Sequence, residues 1–462
     1  MFNLNIDEHA YKHIHFIGIG GISMSGLAKV MHFAGYEVTG SDLNKGSTTE
    51  SLEDMGIKIY YNHSKDNLKD VDLVVYTDAV NLENPELKSA VLSKIDVIDR
   101  ANFLNALMSN FKVSIAVSGT HGKTTTTSML SEIIYNLKSN PTILLGGQLD
   151  DIGGNAKIGD RNLFLTEACE YKANILKYYP TTAIVLNIDE DHLDFFENID
   201  HIIRTFEGYA KNLNKDSILV LNIDDENASL LLNVGDAKKV TIAINKEANY
   251  TAKNITYTDQ GYPRYDLYKD GKFIEKIQLS ILGDHNIYNS LAAIAAAYEN
   301  NISFDEIRNG LKNYKGVHRR LESKGCYNKA KVIDDYAHHP TEIKASLASL
   351  KSSKKRKLYC VFQPHTFTRT KLLLDSFANS FSDADLTIIT DIYSAREKDY
   401  GDIHSKTLCE SINKTGNESI YIEEFEDIVK YLKDNLEEDD IIVTMGAGDV
   451  YKIGEMLIEE DK

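Results

Sequence analysis

The sequence predicts an α/β protein built from three units in series. Three observations carry that expectation. Short apolar runs alternate with helical stretches along nearly the whole chain, a glycine-rich turn follows the first strand in each of the first two units, and the pattern restarts near Asn110 and again near Gly316. Strands alternating with helices make a parallel sheet covered on both faces. At 462 residues the chain is also too long for one compact core.

The first unit opens with the apolar run 13–17, which ends in Gly18-Ile19-Gly20-Gly21 and passes into a helical stretch at 24–33. Strand 37–39 ends at Ser41-Asp42, and further strands are expected at 57–60, 73–76 and 97–98. The second unit starts with strand 113–117, a Gly/Thr loop and a helix from 123 to about 137, followed by strands at 142–145, 163–166, 183–186 and 218–221. From 240 to 282 the residues alternate in β-leaning segments with turns such as Asp270-Gly271, which predicts a small antiparallel insertion. The Ala-rich stretch 288–299 is a helix on propensity alone. In the third unit, strands at 332–334, 358–362, 386–390 and 441–444 alternate with helices such as 341–350.

Composition removes several function classes. A formal charge of −18 argues against a nucleic-acid partner, because phosphate backbones need a basic surface. The one basic run, Lys354-Lys355-Arg356-Lys357, precedes an apolar strand and reads as a solvated turn. Cys169, Cys326, Cys360 and Cys409 form no C-x-x-C pair, which disfavours a zinc site or a disulfide framework and fits a reducing compartment. No apolar run approaches the roughly 18 residues that cross a bilayer. The N-terminus lacks the basic region of a signal peptide, so a cytoplasmic protein is expected.

The strongest motif is Ser118-Gly119-Thr120-His121-Gly122-Lys123-Thr124-Thr125, set between a strand and a helix. A phosphate loop needs glycines to turn amides toward the anion, a helix N-terminus, a lysine for the outer phosphates and a hydroxyl for Mg²⁺. All are present, with Val117 standing where the common pattern has its first glycine. This is a nucleoside-triphosphate site. The Gly18–Gly21 loop is less specific, since Ser23 stands where a dinucleotide fingerprint has glycine. It suits a diphosphate at a helix N-terminus, with Asp42 on a ribose hydroxyl, and NAD stays an alternative there. Two phosphate-cradling loops in one chain fit two different nucleotides better than one.

Thr166-Glu167-Ala168-Cys169-Glu170 and Asp189-Glu190-Asp191-His192-Leu193-Asp194 each follow a strand. Flanking a phosphate loop, their carboxylates and imidazole read as metal chemistry rather than solvated acidic turns. Gly283-Asp284-His285-Asn286-Ile287-Tyr288-Asn289 offers amides for an adenine edge or simply a helix cap. Arg319-Arg320 sits at the second junction, within reach of a transferring phosphoryl group. Asp334-Asp335-Tyr336-Ala337-His338-His339-Pro340 and Gln363-Pro364-His365-Thr366-Phe367-Thr368-Arg369 each link a strand to a helix and read as substrate contacts.

In order and spacing these segments resemble the Mur ligase family from end to end. The resemblance is carried by H-F-I-G-I-G-G-I-S-M-S-G-L-A from His15, G-T-H-G-K-T-T, E-A-C-E-Y, G-D-H-N-I-Y-N, G-V-H-R-R-L-E, D-D-Y-A-H-H-P-T-E, F-Q-P-H-T-F-T-R, D-I-Y-S-A-R-E-K and M-G-A-G-D-V-Y. It implies a Rossmann-like N-terminal domain over 1–110, holding UDP-N-acetylmuramate through Gly18, Gly20, Gly21, Ser41 and Asp42. It implies a central P-loop ATPase-like domain over 111–317, carrying the small insertion. There Gly119, Thr120, His121, Gly122, Lys123, Thr124 and Thr125 would hold ATP, with Asn286 and Asn289 at the adenine and Arg320 at the phosphates. Thr124, Glu170 and His192 would hold Mg²⁺. A Rossmann-like C-terminal domain over 318–462 would bring L-alanine through Tyr336, His365 and Arg369.

The implied activity is ATP-dependent joining of L-alanine to the lactyl carboxylate of UDP-N-acetylmuramate through an acyl phosphate, in peptidoglycan precursor synthesis. Lys123, Glu170, His192, Arg320, Asp335 and His339 are its expected catalytic residues. Asp335, His338 and His339 are the candidates for the base that deprotonates the amine. The partners would be small molecules only, with neither nucleic acid nor membrane, and the chain a monomer or weak homodimer. A ligase recycling a preformed murein peptide, a nicotinamide-dependent oxidoreductase and an ATP-driven switch are the competing readings.

Overall fold

The computed structural model describes residues 2, 4–135, 137–149, 154–352, 355–395 and 397–459. Lys354 of the basic run and Arg396 of D-I-Y-S-A-R-E-K lie outside the described residues. The chain is mixed α/β, as expected, and divides into two compact units that are each discontinuous in sequence. One takes Met1–Ile188, Ile203–Ile242 and Ala292–Gly310; the other takes Asp189–Ile202, Ala243–Leu291 and Leu311–Lys462.

The first unit contains a five-stranded parallel sheet of β1 (His13–Ile17), β2 (Glu37–Ser41), β3 (Lys58–Tyr60), β4 (Leu73–Tyr76) and β5 (Asp96–Asp99), in the order β3-β2-β1-β4-β5. Every residue of β1 is buried, as a central strand covered on both faces requires. The strand order reverses between β1 and β4, so the crevice for a ligand opens at their C-terminal ends.

The same unit carries β6 (Val113–Ser118), β7 (Thr142–Leu149), β8 (Gly154–Lys157), β9 (Leu163–Glu167), β10 (Thr182–Val185), β11 (Ile218–Asn222) and β12 (Lys238–Ala243). Their order is β8-β7-β9-β6-β10-β11-β12. All neighbours are parallel except the edge strand β8, which runs antiparallel to β7. The expectation that 240–282 is wholly antiparallel is therefore corrected at its start. Strand β12 runs parallel to β11, with Ile218 opposite Lys238. A two-residue alternation shows that one face is buried but does not distinguish parallel from antiparallel pairing.

In the second unit β13 (Tyr250–Tyr257), β14 (Pro263–Lys269) and β15 (Lys272–Gln278) form the antiparallel meander. Asp270 and Gly271, at φ 48° and 74°, make its tight turn with positive φ at both central positions. The unit's other sheet holds β16 (Glu322–Tyr327), β17 (Ala330–Asp335), β18 (Leu358–Phe362), β19 (Leu386–Ile389), β20 (Ser419–Tyr421) and β21 (Ile441–Met445). Its order is β16-β17-β21-β18-β19-β20, parallel except for β16. One face packs around Phe362, Phe377 and Phe381, the other around Val361, Ile388 and Ile442. Among the described residues no helix is long and apolar enough to cross a membrane.

Candidate active site

The loop after β1 is tied to β2 by its own backbone: Gly18 and Ile19 donate to the Ser41 carbonyl at 2.8 and 3.1 Å. Asp42 continues the tie. One carboxylate oxygen accepts the Gly20 amide at 2.9 Å, and a Cβ at Gly20 would stand 2.7 Å from that oxygen, so a side chain there would push the carboxylate aside. The helix Ile22–Phe33 then begins without a side-chain cap.

Ser41 is fully buried, and its hydroxyl points away from the loop into a polar cluster. It donates to Glu86 at 2.6 Å and lies 3.1 Å from His63 Nδ1. Glu86, also fully buried, takes further bonds from His63 at 2.7 Å and Asn67 at 2.7 Å, with His15 Nε2 at 3.4 Å. Burial pushes the Glu86 carboxyl up, but hydrogen bonds from His15, Ser41 and Asn67 outweigh it and bring it down to about 2. Sequence reasoning missed this cluster. In Asn84-Pro85-Glu86 the asparagine caps a helix and the glutamate reads as an ordinary first-turn acid, which normally faces solvent.

The phosphate loop lies between β6 and the helix Lys123–Tyr135. Gly119 adopts φ 129°, and a Cβ there would press on Leu186 and Asn187 at 3.0–3.1 Å. Asn187 braces the loop: its carbonyl accepts the Thr120 amide at 3.1 Å and its side chain bonds both the amide and the carbonyl of His121. Nothing in the sequence singled Asn187 out. Lys123 Nζ donates to the carbonyls of Gly119 at 2.6 Å and Thr120 at 3.0 Å, and sits 3.2 Å from both oxygens of the buried Glu170. Burial opposes the lysine's charge, but Glu170, Cys169 and Glu167 hold it well above its ordinary range. The Cys169 thiol is pushed up to about 11 by burial and by Glu170, so it is a packed neutral group rather than a nucleophile. Thr124 and Thr125 lie in the first turn of the helix. Directly after Tyr171, Lys172 and Ala173 take left-handed φ of 54° and 55°, strain of the kind that clusters at functional turns.

In the second unit the acidic loop and the C-terminal sheet meet. Asp191 receives Arg369 at 2.9 Å and the His192 amide at 2.7 Å, with the His192 ring at 3.8 Å. Burial would raise the Asp191 carboxyl, yet His192, Arg369, His338 and His339 hold it far below the usual range. His192 and Thr366, at φ 54° and 65°, both carry left-handed backbone. Asp191, His192, Asp194, Thr366, Arg369 and Glu397 line one cleft.

The three candidate bases have different surroundings. His339 caps the helix Pro340–Lys351: Nδ1 accepts the Thr341 amide and Nε2 donates to the Glu190 carbonyl at 2.8 Å. Asp335 is buried, which lifts it to about 6 against hydrogen bonds from Ser346 and Ala337. His338 donates from Nδ1 to the Tyr336 carbonyl at 2.8 Å, which leaves the Nε2 lone pair unengaged among the described residues. Burial brings His338 down to about 4 and His365 down to about 3, so both rings are neutral at pH 7. His365 accepts from Arg369 at 3.1 Å and stacks on Tyr393.

The adjacent arginines divide their work. Arg319 bonds Asp334 and the Gly446 carbonyl and lies between the rings of Tyr336 and Tyr451, a closed structural role. Among the described residues Arg320 has a 3.8 Å approach to Glu342, a contact with the Tyr336 ring and a charge interaction with Asp335. Asn286 and Asn289 are buried and bond one another at 2.8 Å, while Asn286 also donates to the Leu282 carbonyl.

Three family models match the chain: the Mur ligase family catalytic domain over residues 13–112, the Mur ligase middle domain over 117–297 and the Mur ligase glutamate ligase domain over 319–448. Similar sequences include a UDP-N-acetylmuramate–L-alanine ligase of Acetivibrio thermocellus, 50% identical over 98% of this chain and 97% of that one. One of the same name from Clostridium acetobutylicum is 48% identical over 97% and 98%. Among solved structures, a UDP-N-acetylmuramate–alanine ligase of Thermotoga maritima aligns with a TM-score of 0.82 at 30% identity, over 97% of this chain and 99% of the other. A murein peptide ligase of Psychrobacter arcticus gives 0.71 at 25% identity, over 97% and 98%.

Proposed function

The chain belongs to the Mur ligase family, and we propose that it joins L-alanine to the lactyl carboxylate of UDP-N-acetylmuramate at the expense of ATP. The observation that carries this reading is the Lys123–Glu170 pair closing the phosphate loop, in the same unit as a second, uncapped glycine loop. The spans 1–110, 111–317 and 318–462 are the proposed substrate, ATP and amino-acid domains. A cytoplasmic monomer or weak homodimer is the proposed working form.

A carboxylate is a poor electrophile, so it must first be phosphorylated. Its oxygen attacks the γ-phosphorus of ATP, the bond to the β-phosphate oxygen breaks, and ADP leaves an acyl phosphate behind. Two anions approach one another in that step, and Lys123 supplies the cation that spreads their charge. The amides of Gly119–Lys123, at a helix N-terminus, orient the phosphates. The neutral amine of L-alanine then attacks the acyl carbon and phosphate departs. Arg369 and His365 are the proposed contacts for the amino acid with Tyr336, and Arg320, loosely paired, the proposed arm toward the phosphoryl group.

Thr124, Glu170 and His192 are the proposed Mg²⁺ ligands, two hard oxygen donors and an imidazole. Bound there, Mg²⁺ would neutralise phosphate oxygens. Glu170 fits the role as a buried carboxylate whose two oxygens lie beside the Lys123 ammonium at the phosphate loop. The adenine roles of Asn286 and Asn289 rest on whatever donor and acceptor capacity their mutual bond leaves.

The test is phosphate release with ATP, Mg²⁺ and UDP-N-acetylmuramate over a panel of amino acids and the murein tripeptide. Release requiring both substrates, best with L-alanine, is the expected result. Preference for the tripeptide would move the chain to the recycling branch, and release indifferent to both would leave only an ATPase.

A further inference from the structure

We propose that Glu342 is a positioning residue for amide formation: its carboxylate, set beside the protonated nitrogen of His338, orders that ring so that Nε2 can take the proton of the incoming amine. The proposal rests on the ligase reading above and supplies an acidic partner to His338, one of the three candidate bases.

Helix capping explains only part of what Glu342 does. It is the third residue of the helix Pro340–Lys351, and a glutamate there closes a capping box with the residue before the helix. The box needs one bond, from the amide of His339, which Oε2 accepts at 3.3 Å. The same oxygen also accepts the His338 amide at 3.1 Å and lies 3.4 Å from His338 Nδ1. Backbone and ring of His338 thus face one carboxylate oxygen. The other oxygen, Oε1, is 3.8 Å from Arg320 Nη1, a cation that balances the charge.

A second observation fixes which nitrogen carries the proton. Nδ1 donates to the Tyr336 carbonyl at 2.8 Å, so the neutral ring holds its lone pair on Nε2. The ring packs edge-on against Tyr336, at 5.3 Å, and His365, at 5.6 Å. Among the described residues no other carboxylate comes within ion-pair distance of it. Asp191 also acts on His338 electrostatically, but its charge is taken up by Arg369 at 2.9 Å and the His192 amide at 2.7 Å. Burial and Arg369 pull His338 down, and Glu342 is the largest influence lifting it. The side chains of His338 and Glu342 are only 18% and 14% exposed, so water screens little of their attraction.

The role follows from the chemistry of the second step. L-alanine arrives as an ammonium, which has no lone pair for attack. Nε2 takes one of its protons, and the freed lone pair forms the C–N bond. The bond from the acyl carbon to the phosphate oxygen breaks, and phosphate leaves with that electron pair and a second proton from the nitrogen. During the transfer the ring becomes an imidazolium, in a place where burial and Arg369 oppose the charge. A carboxylate beside Nδ1 offsets that cost most when the ring is charged, so it favours the transfer over the resting state.

The test is Glu342→Gln in the full chain, assayed with two nucleophiles. Glutamine closes a capping box as glutamate does, so the melting temperature should stay close to that of the parent chain. With ATP and UDP-N-acetylmuramate, L-alanine ligation should fall about ten- to a hundredfold. Hydroxylamine, which is uncharged at neutral pH and needs no base, should trap the acyl phosphate at the parent rate. His338→Gln should show the same split, and the double variant should ligate no more slowly than His338→Gln alone. Parent-like ligation in Glu342→Gln overturns the proposal. So does an equal fall with both nucleophiles, or a double variant in which the two losses multiply. If Glu342→Gln does not fold, Glu342→Asp keeps the charge, shortens its reach by one methylene and carries the same comparison. There a fall confined to L-alanine supports the proposal, and no fall or an equal fall with both nucleophiles overturns it. A parent chain that joins no amino acid to UDP-N-acetylmuramate sinks the ligase reading, an outcome read before any variant is made.

Discussion

Both carboxylate oxygens of Glu170 lie 3.2 Å from the ammonium of Lys123, which also donates to the carbonyls of Gly119 and Thr120. The phosphate loop thus keeps its own cation folded into a buried acid. In the proposed reaction the lysine would meet phosphate oxygens and the glutamate Mg²⁺, which makes this pair the place to separate structural from catalytic effects.

Separating the structural and catalytic parts of that pair needs a double substitution. Lys123→Ala should abolish ligation, a fall of at least about a thousandfold, and destabilise the fold by about 3 kcal/mol because Glu170 loses the cation beside it in a buried position. Lys123→Met with Glu170→Leu removes both charges and should restore most of the melting temperature while staying inactive. Recovery of activity along with stability would show that the pair only holds the fold together.

The Glu86 cluster makes a pH prediction. Its folded carboxyl is depressed from 4.5 to about 2, so its contribution is present above pH 4.5 and lost as pH falls toward 2. That interval corresponds to about 3 kcal/mol for a fully buried group. Glu86→Gln should lower stability at pH 7 by a similar amount and flatten the denaturant midpoint against pH below 4.5. An unaltered acid limb in the variant would mean the cluster is not ionised as the bonds indicate.

Much of this was legible in the sequence because strand–turn–helix junctions carry local signals: Gly119–Lys123 lies between a strand and a helix, where the sequence places it. The three-unit reading and the antiparallel meander follow from the same alternation of patterns. Long-range polar partners were not legible. Ser41 was expected at the substrate, yet its hydroxyl is engaged by Glu86, 45 residues away, and Asn187 braces a loop 66 residues earlier. Such pairings are set by which strand lies beside which, and no local pattern encodes that. Strand β16 was hidden for another reason: Gly325, at φ 138°, interrupts its alternation opposite a register shift.

Asp42 ties the first glycine loop to the end of β2. Its bond to the Gly20 amide holds the turn, so Asp42→Ala should raise the KM for UDP-N-acetylmuramate about tenfold and leave the KM for ATP unchanged. Gly20→Ala should do the same by a different route, since its methyl would meet Asp42 Oδ2 at 2.7 Å. Equal rises in both Michaelis constants would point to a general loosening of the unit rather than to the loop.

His338 is the candidate base that retains an open lone pair, because Nδ1 is fixed on the Tyr336 carbonyl while His339 is spent as a helix cap and Asp335 on Ser346 and Ala337. If Nε2 takes the proton from the amine, His338→Gln should leave acyl-phosphate formation intact and slow amide formation by about a hundredfold. Exchange of label between the bridging and non-bridging oxygens of ATP, run without L-alanine, reads the first step; ligation reads the second. Loss of both steps together would make His338 a positioning residue. The pH dependence has a fixed sign. A histidine depressed from 6.5 to about 4 by burial adds stability that is complete above pH 6.5 and is lost as pH falls to 4, about 3 kcal/mol for this group. His338→Gln should remove that part of the acid limb, so the variant should lose less stability than the parent chain between pH 6.5 and 4, a difference that equilibrium unfolding in urea across that range measures directly.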